Sequence, residues 1–418
     1  MRLALGAVLL LSGCYQELAI NDPDGSPPPF DAARFVDAGP GDAGRFDGGG
    51  PDAGDPSDFV PPVGKCGEAT GVDLLLLVDN SNSMTEEQQS LAAELPALVR
   101  SLVEPPDSDG DGEPDWLPIT DLRIGVITTD MGTGGFTVPT CARSDFGDDG
   151  VLRTQGNVEI AGCTSTYPSF ASFDPAIDDP TDYANDVACV ATTGTGGCGF
   201  EQPLEAVLKS LSPDAPTAYT RPDYVAPGFF SGTSGHGLGA NAGFVRPDTL
   251  LAVVLVTDEE DCSASDPDLY NPTSPTYGAT DLNLRCFAHP EAVHPIERYV
   301  DGLAALRANR PDLLAFGLIA GVPTDLAVSQ PRDADFARIL GDPRMTERVD
   351  PAMPTRLVPS CNVPGRGLAF PPRRLVRVAQ RLTGFRSTVQ SICQEDFSPA
   401  AEAIARLIGT RACAGYIE

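Results

Sequence analysis

Val72-Asp73-Leu74-Leu75-Leu76-Leu77-Val78-Asp79-Asn80-Ser81-Asn82-Ser83-Met84 decides how the chain folds. Its first seven residues are apolar except Asp73, a run too continuous for a half-wetted strand, so 72–78 predicts a strand covered on both faces. A carboxylate and two hydroxyls follow at alternate positions. Thr85 and Gln88 then have the spacing of a capping box, and Leu91, Leu95, Leu98, Val99 and Leu102 lie on one helical stripe. Pro96 is expected to kink that helix.

Outward from this segment the pattern repeats. Leu122 to Thr128, Leu250 to Val256 and Leu313 to Ile319 read as further buried strands, and Val389 to Cys393 as a last one. Residues 204–211, 296–306 and 399–408 read as amphipathic helices between and after them. Alternating strands and helices predict an α/β fold with a mainly parallel sheet flanked by helices, spanning 63–418. That span exceeds an ordinary domain. The excess falls in Gly/Asp/Thr-rich insertions at about 131–200 and 262–295, both following strands and both bearing cysteines.

Asp79-x-Ser81-x-Ser83 at a strand end resembles the metal-ion-dependent adhesion site of von Willebrand factor type A domains, which share a Rossmann-like sheet. A loop leaving a strand can aim a carboxylate and two hydroxyls at one point, the oxygen donors that Mg²⁺ prefers. The family's later acidic element is matched by Asp258, at the end of Leu255-Val256-Thr257-Asp258. The resemblance implies Mg²⁺ or Mn²⁺ held by Ser81 and Ser83 directly, with Asp79 and Asp258 direct or through water. It also implies an unidentified protein partner whose acidic side chain completes the coordination sphere. Without a metal, the Asp and Ser residues would merely cap the following helix. One family element is missing. Counting back from Leu204, Cys198 stands where the family has a threonine, and a disulfide-bonded Cys cannot replace a hydroxyl on a hard cation. Thr195 and Glu201 are the residues left to substitute, or the site is incomplete.

A second cation loop is expected at Asp107-Ser108-Asp109-Gly110-Asp111-Gly112-Glu113-Pro114-Asp115. Acids at the first, third, fifth and ninth positions with Gly at the sixth follow the order of Ca²⁺-binding loops. Pro118 stands at the twelfth, where an EF-hand has its bidentate Glu, and the loop is more similar to those of thrombospondin type 3 repeats. The bland alternative is a solvated acidic turn.

The first residues give an address. Met1-Arg2, an apolar run from Leu3 to Leu11 and Ser12-Gly13-Cys14 have the layout of a secretory signal. Leu11-Ser12-Gly13-Cys14 resembles a bacterial lipobox, which implies removal of 1–13 and acylation of Cys14. Residues 14–62 are then a tether rich in Pro, Gly and Asp, with Asp-Ala-Gly at 37–39, 42–44 and 52–54, too poor in apolar residues to build a core. The expected location is the bacterial cell envelope, attached to the membrane through the acyl chain alone. The remaining ten of the 11 cysteines are even in number, as expected of disulfides in an exported chain. Sequential pairing keeps the loops short, with Cys66 and Cys413 set apart to tie the ends.

A net charge of −31 weighs against nucleic acid, whose phosphates need basic patches. Gly194-Thr195-Gly196-Gly197-Cys198-Gly199 matches a dinucleotide-binding pattern but follows no buried strand. His236, His289 and His294 have no ligand-like spacing, and no hydrolase or kinase motif occurs. The expectation is a metal-dependent binding or adhesion domain and not an enzyme. A calcium-stabilised structural protein with an inactive metal site is the first alternative, and a metal-dependent hydrolase the second.

Overall fold

A computed structural model of the chain describes residues 69–215, 219, 221, 223–364, 368–382 and 386–412. The chain divides into Met1–Pro61 and Pro62–Glu418, and all described residues belong to the second unit. Cys14, the tether, Cys66 and Cys413 lie outside the described residues.

The second unit is α/β. In chain order it runs β1 (Val72–Val78), α1 (Thr85–Val103), β2 (Leu122–Thr128), β3 (Ala171–Phe173), α2 (Pro180–Ala191), α3 (Pro203–Leu211) and β4 (Leu250–Val256). A short α4 (Arg285–Ala288), α5 (Glu297–Ala305), β5 (Leu314–Ala320) and α6 (Asp333–Gly341) follow. Two small hairpins come next, β6 (Val349–Asp350) with β7 (Met353–Leu357) and β8 (Cys361–Asn362) with β9 (Leu368–Ala369). The chain then completes the domain with α7 (Arg373–Leu382), β10 (Ser387–Ser391) and α8 (Ser398–Gly409).

Six strands form the main sheet in the order β10-β5-β4-β1-β2-β3, all parallel except the edge strand β3. β1 is central and every one of its residues is buried, which is why its sequence shows no alternation. The two faces nevertheless divide its side chains. Leu74 and Leu76 pack with Leu91, Leu98 and Leu102 of α1, Val187 of α2 and Ile404 of α8. Leu75 and Leu77 pack on the other face with Leu204 and Leu208 of α3, Leu303 of α5 and Val376 of α7. Two apolar layers thus hold the sheet between helices. Among the described residues, no helix is long and apolar enough to cross a membrane.

Several expectations need correction. The stretch 131–200 is not only loop: it contains β3, which extends the sheet, and α2, which joins the helix layer beside α1. The last strand starts at Ser387, two residues before the expected Val389. No capping box forms at Thr85 and Gln88. Gln88 is buried and donates to Asp79 O at 2.7 Å, Thr193 Oγ1 at 2.9 Å and Gly194 O at 2.8 Å, so its amide satisfies loop backbone instead.

The first two disulfides are nested, not sequential. Cys141 pairs with Cys198 and encloses Cys163–Cys189, whereas Cys262–Cys286 and Cys361–Cys393 pair as neighbours in sequence. The reason is the excursion through β3 and α2, which returns beside its own start. Gly199 N donates to Thr140 O at 3.0 Å there, and Asn157 N reaches Cys189 O at 2.9 Å at the far end of the excursion.

Candidate metal centre

Parallel strands all end at one edge of a sheet, so β1 and β4, adjacent and in register, deliver Asp79 and Asp258 to the same place. The loop after β1 is drawn tight by Asp79, whose Oδ1 accepts from Ser81 N at 2.8 Å and Thr129 Oγ1 at 3.1 Å. Its Oδ2 accepts from Thr257 Oγ1 at 2.6 Å. Both oxygens of Asp79 are therefore engaged, and the carboxylate works as the anchor of the loop.

The anchored loop brings Ser81 Oγ within 3.0 Å of Ser83 Oγ, and Ser83 Oγ donates to Asp258 Oδ1 at 3.3 Å. Asp258 is fully buried and its Oδ2 has no hydrogen-bond partner. Asn80 Oδ1 and Glu87 Oε2, close by, are also buried without one. Leaving such an acceptor unsatisfied costs about 1–3 kcal/mol, more when charged. Buried charges are ordinarily paired or bound to metal.

Among the described residues, no arginine or lysine forms an ion pair with Asp79, Glu87, Glu201 or Asp258. Burial, with Asp79 and Glu87 beside it, holds the Asp258 carboxyl well above the usual range. Burial also raises Asp79, against the hydrogen bonds from Thr257, Ser81 and Thr129. Glu87 is pushed to about 7, first by burial and then by Glu86 and Asp79. Glu201 is raised well above its normal value by burial and by Asp79 and Asp258, while the Ser81 hydroxyl opposes the shift. The carboxylates hold one another away from ionisation unless a cation joins them.

Glu201 lies close to the position that Cys198 leaves without a hydroxyl. That cysteine is fully buried in its disulfide and offers the site no hydroxyl. Three residues on, Glu201 is buried beside Ser81, and Cys262 N donates to its carbonyl at 2.8 Å. Sequence reasoning gave no role to Thr129 or Thr257, although each directly follows a buried strand. The glycine-rich loop has a steric role: Gly197 N donates to Asn80 O at 2.7 Å, and a Cβ at Gly197 would lie 2.2 Å from Asn80 Oδ1.

The acidic loop between α1 and β2 forms a separate cluster. Asp107, Asp109 and Asp111 are exposed, and each places a carboxylate oxygen within 4.8 Å of the others. Gly110 and Gly112 take positive φ values of 75° and 92°, which lets backbone amides turn inward to Asp107. Asp115 does not join them. It accepts from Ser108 N at 3.1 Å and pairs with Arg406 of α8 at 3.0 Å. The three histidines stand apart from both clusters: His236 meets Asp149, His289 meets Thr280 and Glu291, and the His294 amide donates to Ser263 O.

No family model matches the chain, nor does any curated protein. Among solved structures, it is similar to proximal thread matrix protein 1 from the mussel byssus, with 13% identity and a TM-score of 0.23. That match covers 60% of this chain and 38% of the mussel protein. The site's chemistry therefore has to be read from its own donors. They are oxygens only, two hydroxyls and carboxylates, the set suited to a hard divalent cation.

Proposed function

We propose that the chain is a cell-envelope lipoprotein displaying a von Willebrand factor A-like domain that binds a protein partner through Mg²⁺ or Mn²⁺. Asp258 carries the reading: a fully buried carboxylate with one orphaned oxygen, beside two hydroxyls at a strand-end edge. Ser81, Ser83 and Asp258 would hold the cation, with Asp79 ordering the loop and adding charge. The bound cation supplies a Lewis-acidic point for an acidic side chain of the partner. The acyl group on Cys14 would keep the domain at the membrane, and Ca²⁺ in the Asp107–Asp111 loop would brace the α1–β2 connection.

The insertions support a binding surface. Val138, Cys141, Cys198 and Phe200 pack with Cys262 and Tyr270 in a small apolar cluster of their own, stapled by Cys141–Cys198 and Cys262–Cys286. A cross-linked surround lowers the ordering cost of recognition. The test is capture of envelope proteins by the full chain in Mg²⁺, in EDTA and with Asp79→Ala. Specific partners retained only by wild type in Mg²⁺ support the reading. Identical capture in all three overturns it.

A metal-dependent hydrolase is the second reading, and Glu201 is the observation that favours it. A buried carboxylate beside a bound cation, which would favour its ionised form, is placed to act as a general base. Turnover of an ester or peptide panel that Glu201→Gln abolishes would establish it, and no turnover leaves the binder.

A further inference from the structure

At the edge of the sheet opposite Asp79 and Asp258 lies a cavity of about 210 Å³. β5 and β10 run parallel, so Leu314 and Arg386, at or just before their first residues, meet where those strands begin. α5 and α7 end here as well and bring Arg307 and Leu382. Arg221, Arg307 and Arg386 line the cavity, and among the described residues no acid does. The chain has 59 Asp and Glu against 28 Lys and Arg, so this lining runs against its composition. The acids that reach these arginines stand outside the lining. Asp312 is paired with Arg310 at 3.0 Å, and Asp223 and Asp301 approach Arg221 at 3.4 and 3.9 Å. Arg411 adds another positive charge close to Arg386.

We propose that this cavity binds the phosphate group of a small organic phosphate, with Arg221, Arg307 and Arg386 around the oxyanion. The proposal does not depend on the metal reading. Arg307 supplies an observation separate from the cluster of charges. It is 4% exposed, and its terminal nitrogens donate to the carbonyls of Leu306, Arg246 and Thr249, whereas its Nε is buried without a partner. An unsatisfied buried donor is costly, and an anion in the cavity would give this one an acceptor. Burial lowers Arg307 and Arg386 from the usual arginine range, opposed by Asp73 and Asp248 for the first and by Asp312 for the second. A guanidinium nevertheless stays charged at any pH at which proteins fold, so the positive field persists. Arg386 also donates to the carbonyl of Pro311, which fixes its guanidinium at the cavity. Three planar, multi-donor cations suit a doubly charged phosphate better than a singly charged carboxylate. Ala304, Ala308, Leu314 and Leu382 complete the wall and offer an apolar surface for the ligand's carbon atoms.

The test is calorimetry of the full chain carrying Cys14→Ser, which removes the proposed acylation, in EDTA so that no bound cation can hold phosphate. Butyl phosphate is the probe, and pentanoate is the carboxylate of similar length. The expected result is saturable binding of butyl phosphate that is at least about tenfold weaker in Arg386→Gln and in Arg221→Ala, one step of 1.4 kcal/mol. The Arg221 side chain is 45% exposed, so Arg221→Ala should melt as the parent does and keeps the test valid if Arg386→Gln fails to fold. No binding of butyl phosphate, equal binding by parent and Arg221→Ala, or pentanoate bound as tightly overturns the proposal. Vesicles of phosphatidate in phosphatidylcholine then distinguish the source of the phosphate. Sedimentation of the parent but not of Arg221→Ala supports a lipid headgroup, and sedimentation of neither supports a soluble phosphate. Failure here leaves the Asp258 site untouched, because the two lie at opposite edges of the sheet.

Discussion

Ser83 donates its hydroxyl to Oδ1 of Asp258 at 3.3 Å, across 175 residues of sequence, while Oδ2 of the same carboxylate is buried without a partner. The two residues meet because β1 and β4 are neighbours in register and both end at this edge. Half of the carboxylate is thus positioned by the protein and half is left for something else.

Asp258→Asn should separate folding from binding. Replacing a buried carboxyl, which the metal-free fold must hold against its ordinary ionisation, by a neutral amide is expected to stabilise the metal-free protein by about 1–3 kcal/mol. The same change should remove the stabilisation that Mg²⁺ gives to wild type. Melting curves in EDTA and in Mg²⁺ decide it. A mutant less stable than wild type in EDTA would mean that Asp258 is satisfied in the fold by itself.

The acidic loop offers an independent ion. Removing Ca²⁺ with EGTA in the presence of Mg²⁺ should lower the melting temperature of wild type, and Asp109→Ala combined with Asp111→Ala should abolish that sensitivity. Ligand at a hundred times its Kd contributes about 2.7 kcal/mol, which sets the size of the shift. A double mutant that responds to Ca²⁺ and EGTA as wild type does would place the ion elsewhere.

Asp130 gives the stability a pH dependence of its own. It is buried at the end of β2, and burial, with Asp148 and Asp145 near, raises it to about 6, against the amide of Gly132 and Arg143. A carboxyl raised in the fold holds its proton more tightly there than in the unfolded chain. Its contribution is therefore complete below the ordinary carboxylate range and is lost as pH climbs through about 6. Two pKa units correspond to about 3 kcal/mol at most. Asp130→Asn should flatten this part of the stability profile between pH 4 and pH 6, and an unchanged slope would refute the assignment.

Much of the architecture was legible because the buried strands are long and unbroken. The runs 72–78, 122–128 and 250–256 carry no competing helical period, so their existence and parallel pairing follow from pattern alone. β3 was not legible. Ala171-Ser172-Phe173 is three residues long and owes its conformation to pairing with Leu122–Ile124, a tertiary effect. The nested disulfides were hidden for the same reason, since spacing says nothing about where an excursion returns. In the site, Asp79, Ser81, Ser83 and Asp258 stood out by spacing, whereas Thr129 and Thr257 looked like ordinary strand-end residues. Gln88 misled because its capping position and its burial over Asp79 O compete for one side chain.

The address makes its own prediction. Cys14→Ser should release the mature chain from membranes into the soluble fraction, and wild type should carry an acylated cysteine at its processed N-terminus. Membrane retention of the mutant, with an unmodified N-terminus in wild type, would rule out the lipoprotein reading.

Anomalous diffraction from crystals soaked in Mn²⁺ tests the central claim most directly. The account predicts a peak within coordination distance of Ser81 Oγ, Ser83 Oγ and an Asp258 oxygen, absent from Ser81→Ala crystals soaked identically. A soak in which Mn²⁺ occupies only the Asp107–Asp111 loop, leaving Asp258 Oδ2 without a cation, would contradict it.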